Sequence, residues 1–229
     1  GMAFVVVTHQ HPGHTTLLPE LLGRKTKLPV VLAEDGVQLQ MNQVYVAPPG
    51  AHLAVLHGKL HFMDAQAIRL PIDYFFRSLA EDQRERAIGV ILSGTATDGT
   101  LGLKAIKGEA GMAMVQEPRS AKYAGMPSSA ITTGLVDYVL RPDKMGEQLA
   151  AYARGSRARR GPEAAAELPL LTEEPMQKIF VLMRRRTGND FSSYKGSTIR
   201  RRIQRRMTVH QIDEPAHYVR YLEENPHEI

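Results

Sequence analysis

The sequence predicts an α/β domain followed by a small all-α domain, the first built on a doubly wound, mainly parallel three-layer sheet of Rossmann-like type. Three observations carry this. Short β-branched runs alternate with stretches of helical periodicity from residue 4 to about residue 153, the pattern of parallel strands with crossover helices. Residues 154–167 then turn to Arg, Gly, Ser, Pro, Ala and Glu without an apolar stripe, the composition of a linker. From there on the apolar residues recur at helical spacing only, so the predicted boundaries are 1–153, 154–167 and 168–229.

Phe4-Val5-Val6-Val7-Thr8 opens the alternation as a strand that is apolar on both faces, and it ends in His9-Gln10-His11-Pro12-Gly13-His14. Leu17 to Leu22 reads as a short helix, and Pro29 to Ala33 and Val44 to Ala47 as the next strands. Leu53-Ala54-Val55 and Leu60-His61-Phe62 flank Leu56-His57-Gly58-Lys59 as a hairpin whose glycine supplies the turn. Pro71 suits a first helical position, and Ile72, Phe75, Phe76 and Leu79 follow at helical spacing. Ala87 to Leu92 is a strand, Leu101 and Ile106 mark a helix, Met112 to Val115 and Tyr138 to Leu140 are strands, and a helix opens at Pro142. Beyond the linker, three further helices are marked by Met176, Ile179, Phe180 and Met183, by Ile199, Ile203 and Met207, and by Tyr218, Val219 and Leu222.

Composition excludes several classes. The absence of cysteine rules out disulfides, thiol nucleophiles and cysteine-ligated zinc, and is compatible with a reducing cytosol. No apolar run approaches the roughly 18 residues that a spanning helix needs, so neither membrane insertion nor a leader is expected. Charge is unevenly placed: residues 1–153 carry 14 basic against 14 acidic side chains, and residues 154–229 carry 15 against 10. The whole excess of +5 belongs to the last third, which suggests two modules with different partners.

The stretch Gly89 to Gly102 is the centre of the first module. An apolar strand stops at Ser93-Gly94, and a loop of small residues then holds one acid, Asp98, before the next helix. Loops at the carboxyl ends of parallel strands are where α/β sheets place their chemistry. Asp98 is open to two readings, an N-cap for the helix through Leu101 and an acid that orients a histidine. His9, His11 and His14 form an H-x-H-x-x-H cluster that also has two readings. One is a zinc site resembling the metallo-β-lactamase-like hydrolases, although Gly13 stands where that family places a ligand Asp, and two-metal catalysis needs it. In the other, His9 alone is a general base held by Asp98, with no metal or cofactor.

For the second reading the match is extensive. Thr8-His9 with Pro12-Gly13 and Thr15, Ala33-Glu34-Asp35-Gly36, Val44 to Pro48, His52-Leu53, Pro71-Ile72-Asp73, Gly89 to Gly102, and Gly125-Met126-Pro127 with Ala130-Ile131 follow in order. They resemble the catalytic domain of the chemotaxis protein-glutamate methylesterases. The resemblance implies acyl transfer by a Ser-His-Asp triad that hydrolyses glutamate methyl esters on receptor helices in the cytoplasm. His9 would be base and then acid, and Asp98 would fix its tautomer and stabilise the imidazolium. Thr95, where the family usually has methionine, would lie by the oxyanion, and Met126 would belong to a loop lining the cleft. The family's serine sits in a glycine-rich turn before the histidine strand, and no such elbow follows in these 229 residues. This chain is therefore expected to lack the nucleophile and appreciable turnover. A missing strand would also leave an unpaired sheet edge, an expected place for a homodimer contact.

In the last third, Ile199, Ile203 and Met207 share one face of a helix and leave its arginines around the other sides. Solvation and nucleic-acid binding are both open to such a helix, but no aromatic stacking platform accompanies it and nucleic acid is not expected. Arg186-Thr187-Gly188-Asn189-Asp190-Phe191, Tyr194-Lys195, Thr198-Ile199, the arginine run, and Tyr218 to Pro226 resemble the N-terminal helical domain of the receptor glutamate methyltransferases. The resemblance implies that Arg201, Arg202, Arg205 and Arg206 face acidic helices of methyl-accepting receptors, where Arg pairs bidentately with carboxylates. A non-catalytic receptor-docking scaffold is the alternative for the whole chain.

Overall fold

Three runs of apolar residues, each too short for a helix, become β1 (Phe4–Val6), β2 (Val30–Leu32) and β3 (Val44–Val46). The computed structural model, which describes residues 1–9, 16–64, 68–158, 171, 173–192 and 194–229, pairs them in parallel with β3 in the middle. β4 (His52–Leu56) and β5 (Lys59–Met63) form the expected antiparallel hairpin. Both turn residues have positive φ, His57 at 53° and Gly58 at 72°, which matches the right-handed twist of the strands it joins. β6 (Ile88–Ile91), β7 (Met112–Gln116) and β8 (Tyr138–Leu140) make a second parallel group with β7 in the middle.

The parallel strands thus stand in two groups of three rather than in one continuous ladder. β1 pairs only with β3 and β6 only with β7, so each has one edge without a backbone partner among the described residues. Helices α1 (Leu18–Gly23), α2 (Pro71–Gln83), α3 (Thr100–Gly108) and α4 (Gly125–Thr132) complete this unit, which runs from Gly1 to Leu140. One core unites it: Tyr45 from β3, Leu53 and Leu60 from the hairpin, Phe75 and Phe76 from α2, Leu103 and Ile106 from α3, and Ile91 and Val115 from the second group. Two glycines set how closely the layers approach. A Cβ at Gly89 would lie 2.8 Å from Ile106 Cδ1, and one at Gly102 would lie 2.5 Å from Phe76 Cβ and 2.9 Å from the Asp73 carbonyl oxygen. The first turns of α2 and α3 therefore meet backbone to backbone, a contact that places the site.

The second unit, Arg141–Ile229, is helical: α5 (Pro142–Ala158), α6 (Glu173–Thr187), α7 (Gly196–Val209) and α8 (Pro215–Glu224). Helix α5 continues to Ala158, into the stretch read as linker, because Ala and Arg at its end favour helix; residues 159–170 lie outside the described residues. Met176 and Ile179, Ile199, Ile203 and Met207, and Tyr218, Val219 and Leu222 bury the three expected faces against each other. Among the described residues no helix is long and apolar enough to cross a membrane.

Candidate active site

Beyond β6 the backbone is held by a short ladder of polar contacts. The Ser93 N–H donates to Gln116 Oε1 at 2.8 Å, the Tyr123 N–H donates to Ser93 Oγ at 2.9 Å, and the Gly94 N–H donates to the Tyr123 carbonyl at 3.0 Å. The Met126 N–H then donates to the Gly94 carbonyl at 2.9 Å. Ala96 takes a left-handed φ of 62°, unusual for a residue with a side chain, and Gly99 follows at 90°. These two reversals carry Asp98 inward between them.

Asp98 is 2% exposed. Its Oδ2 accepts the Ile72 N–H at 3.0 Å, and its Oδ1 accepts the N–H groups of Asp73 at 2.8 Å and Gly99 at 2.8 Å. The cap expected for its own helix is a cap for another: α3 starts at an uncapped Gly99, whereas α2, whose N-cap position Leu70 offers no acceptor, receives the Asp98 carboxylate. The positive end of α2 thus faces a buried carboxylate.

His9 extends from the carboxyl end of β1 and places Nε2 2.8 Å from Asp98 Oδ2. The imidazole is 55% exposed while the carboxylate is 3% exposed, so one ring nitrogen is fixed and the other side of the ring is open. A neutral imidazole held in this way carries its proton on Nε2 and keeps a lone pair on Nδ1, the arrangement of a general base with an orienting acid. His11 and His14, on which the zinc reading depended, lie outside the described residues.

Thr95 is exposed at the turn before Asp98. Met126 is buried at 7%, and a Cβ on Gly94 would overlap its Sδ, so its side chain forms the floor under the turn. The expected loop at Gly125-Met126-Pro127 is the first turn of α4, where a proline without N–H is at home. Two polar residues are given no individual role by the sequence. Asp73, 2% exposed, accepts the Gly102 N–H at 2.6 Å, and Gln116, 6% exposed, bridges Ser93 to the Ser120 carbonyl. Asp73 had one visible signal, an acid in the first turn of a helix opened by proline; Gln116 at a strand end had none.

In the helical unit the four arginines separate. Arg201 and Arg202 are exposed, and the Arg205 guanidinium lies 5.1 Å from the centre of the Tyr152 ring. Arg206 leaves the expected surface. Its Nε and Nη2 donate to Glu228 Oε1 at 2.6 Å and Oε2 at 2.7 Å, and its side chain is only 17% exposed. Tyr218 OH donates to Glu228 Oε1 at 3.2 Å, and His210 Nε2 lies 3.2 Å from Oε2. Burial would raise the Glu228 carboxyl, but hydrogen bonds from His210 and Arg206 outweigh it and hold it well below the usual range. Arg206 is thus a structural partner of the final turn.

Both units of the chain match known families. Residues 1–149 match the family model of the CheB methylesterase, and residues 174–229 match that of the CheR methyltransferase all-alpha domain. An uncharacterized 104.1 kDa protein of Rhodobacter capsulatus is 35% identical over 227 residues, which are 90% of this chain and 24% of that protein. A putative protein-glutamate methylesterase/protein-glutamine glutaminase of Leptospira interrogans is 36% identical over 151 residues, 64% of this chain and 78% of the relative. The chain spans about a quarter of the first of these and under half of a Thermotoga maritima protein-glutamate methylesterase/protein-glutamine glutaminase, 34% identical over 152 residues. The crystal structure of the Thermotoga maritima CheB methylesterase catalytic domain superposes with a TM-score of 0.59 at 35% identity, covering 64% of this chain and 82% of that one. On the family model over residues 1–149 and the matching fold, the chain belongs to the CheB methylesterase family and carries, after it, a segment of the CheR all-alpha type.

Proposed function

We propose that the first unit is the base-and-acid portion of a protein-glutamate methylesterase site. The observation that carries this is the 2.8 Å contact between His9 Nε2 and an Asp98 already held by three backbone amides. In ester hydrolysis Nδ1 of His9 would take the proton of an attacking hydroxyl and give it to the departing methoxide, which leaves as methanol; water activated by the same nitrogen would then free the carboxylate, with Asp98 stabilising the imidazolium in both halves. The backbone at Thr95 is the nearest candidate for the oxyanion, and Met126 supports it from below. Ser93, the only serine close in sequence to the Asp98 loop, is bonded to the Tyr123 backbone and serves the scaffold.

The unpaired edges of β1 and β6 support the same reading. Their carboxyl ends are joined by the His9 to Asp98 contact, so a further parallel strand between them would complete one sheet and end beside His9. A serine on such a strand would meet Nδ1. The same edges carry the dimer expectation, which a sedimentation mass at high concentration decides. Arg201 and Arg202 remain as the exposed basic contacts for acidic receptor helices, and they favour receptor docking as the second function of the chain.

The test has two arms, each reading methanol release from a methylated receptor fragment. The 229-residue polypeptide alone is expected to show none above background. Joined behind a strand and glycine-rich turn that supply the family's serine, it should turn over, and His9→Ala should abolish that activity by about 10⁴-fold or more. A folded chimera without turnover, or turnover indifferent to His9, would overturn the reading.

A further inference from the structure

We propose that Asp73 is a positioning residue of this site: its carboxyl clamps the first turn of α3 onto α2 and so directs the Asp98 carboxylate at His9. The inference rests on the His9 and Asp98 reading above and extends it to a residue that touches neither substrate nor imidazole.

The geometry is reciprocal. Asp98, at the entrance to α3, accepts two N–H groups from the start of α2; Asp73, in the first turn of α2, accepts the Gly102 N–H from the first turn of α3. Each carboxylate therefore caps the other's helix. The two are also linked directly, because the Asp73 N–H is one of the donors to Asp98 Oδ1. Gly102 permits this by its lack of a side chain, since a Cβ there would lie 2.9 Å from the Asp73 carbonyl. Asp98 is consequently fixed from the front by the α2 amides and from behind by Asp73 through Gly102, four residues farther on.

Packing alone does not call for an acid here. Asp73 is 2% exposed, and its Oδ2 has no hydrogen-bond partner among the described residues, an arrangement that costs free energy wherever it occurs. Burial, and then the charge of Asp98, raise its carboxyl above the usual range, against opposing pulls from the Gly102 N–H and from Arg77. Asp98, with four donors, is the better-supported charge of the pair. Asp73 supplies a rigid acceptor.

A thermal cycle in the 229-residue polypeptide tests the proposal. His9→Ala removes one bond to Asp98, a fall in Tm of about 3 °C. The same fall is expected in the Asp73→Asn background, which keeps an oxygen for Gly102. In Asp73→Ala and in Asp73→Ser, whose side chains end short of Gly102, His9→Ala should lower Tm by less than about 1 °C, because Asp98 no longer points at the imidazole. The Gly102 amide proton, moved downfield by a carboxylate, reports in each variant whether the clamp persists. A purely structural Asp73 gives additive losses, so an equal His9→Ala fall in every background overturns the proposal. So does a vanished fall in Asp73→Asn with the clamp intact. If Asp73→Ala does not fold, Asp73→Ser decides. An unsubstituted chain indifferent to His9→Ala overturns the His9 to Asp98 pairing itself, and the proposal with it.

Discussion

Asp98→Ala removes one acceptor from four donors: the N–H groups of Ile72, Asp73 and Gly99 at 3.0, 2.8 and 2.8 Å, and His9 Nε2 at 2.8 Å. The loss of a helix cap to alanine costs about 1 kcal/mol. A buried donor left without a partner adds about 1–3 kcal/mol, and at 2% exposure the site admits no ready replacement by water. With the imidazole bond, the total is about 3 to 4 kcal/mol after allowing for shared relaxation. For a unit of this size each kcal/mol moves Tm by about 3 °C, so the fall should be about 10 °C. Asp98→Asn keeps an oxygen for Asp73 and Gly99 but turns an NH2 toward the Ile72 N–H and His9, and should lose about half as much. Thermal unfolding followed by circular dichroism gives the two falls, and amide exchange at Ile72 and Asp73 locates them at the start of α2. A fall under about 3 °C for Asp98→Ala, or equal falls for both variants, would refute the assignment of Asp98 as the cap of α2.

Glu228 should dominate the acid response of the helical unit. Its carboxyl is held below its ordinary value of 4.5, so its contribution is complete above that pH and is lost progressively as pH falls toward the folded-state value. Glu228→Gln is expected to lower Tm at pH 7 by about 10 °C and to flatten the decline of Tm below about pH 4.5; an unchanged acid limb would contradict a depressed Glu228 carboxyl. For receptor contact, Arg201→Glu with Arg202→Glu should weaken binding of an acidic helical receptor fragment about tenfold, with Tm unchanged, whereas Arg206→Ala should lower Tm. Titration calorimetry at two salt concentrations measures the first, and a double variant that binds as tightly as the original removes Arg201 and Arg202 from the interface.

The strands and amphipathic helices were legible because each is written in local periodicity: β-branched runs for β1 to β3, and apolar positions three and four apart for α2, α7 and α8. Asp98 stood out for a local reason as well, as the one acid in a loop of small residues. Its true neighbours did not, because the α2 amides lie about 26 residues earlier in the chain and capping across that distance leaves no spacing to read. Met126 shows the same limit: a Gly-Met-Pro stretch serves equally as a turn or as a helix start, and only the Gly94 carbonyl behind it decides. Arg206 sits beside Met207 at the border of the apolar face of α7, and a partner 22 residues on draws it inward where its own helix would leave it in solvent. The edge of β1 that stays unpaired among the described residues was expected only through resemblance, since an open edge writes nothing into the strand that carries it.

The two members of the pair do not carry the same weight as evidence of chemistry. Asp98 would be kept by a protein that had abandoned catalysis, because without it α2 loses its cap and α3 its anchor to α2. His9 holds nothing comparable. Its ring is 55% exposed, and its contact with Asp98 satisfies an acceptor that three amides already occupy. A glutamine or asparagine at the end of β1 could donate the same bond without an imidazole. What neither amide could do is pass a proton between two partners near neutral pH. The esterase and the docking readings are therefore separated at His9. A chimera in which His9→Gln preserves Tm while methanol release disappears assigns the imidazole to proton transfer, one in which both persist removes His9 from the chemistry, and a folded chimera that releases no methanol even with His9 in place leaves docking as the function of the unit.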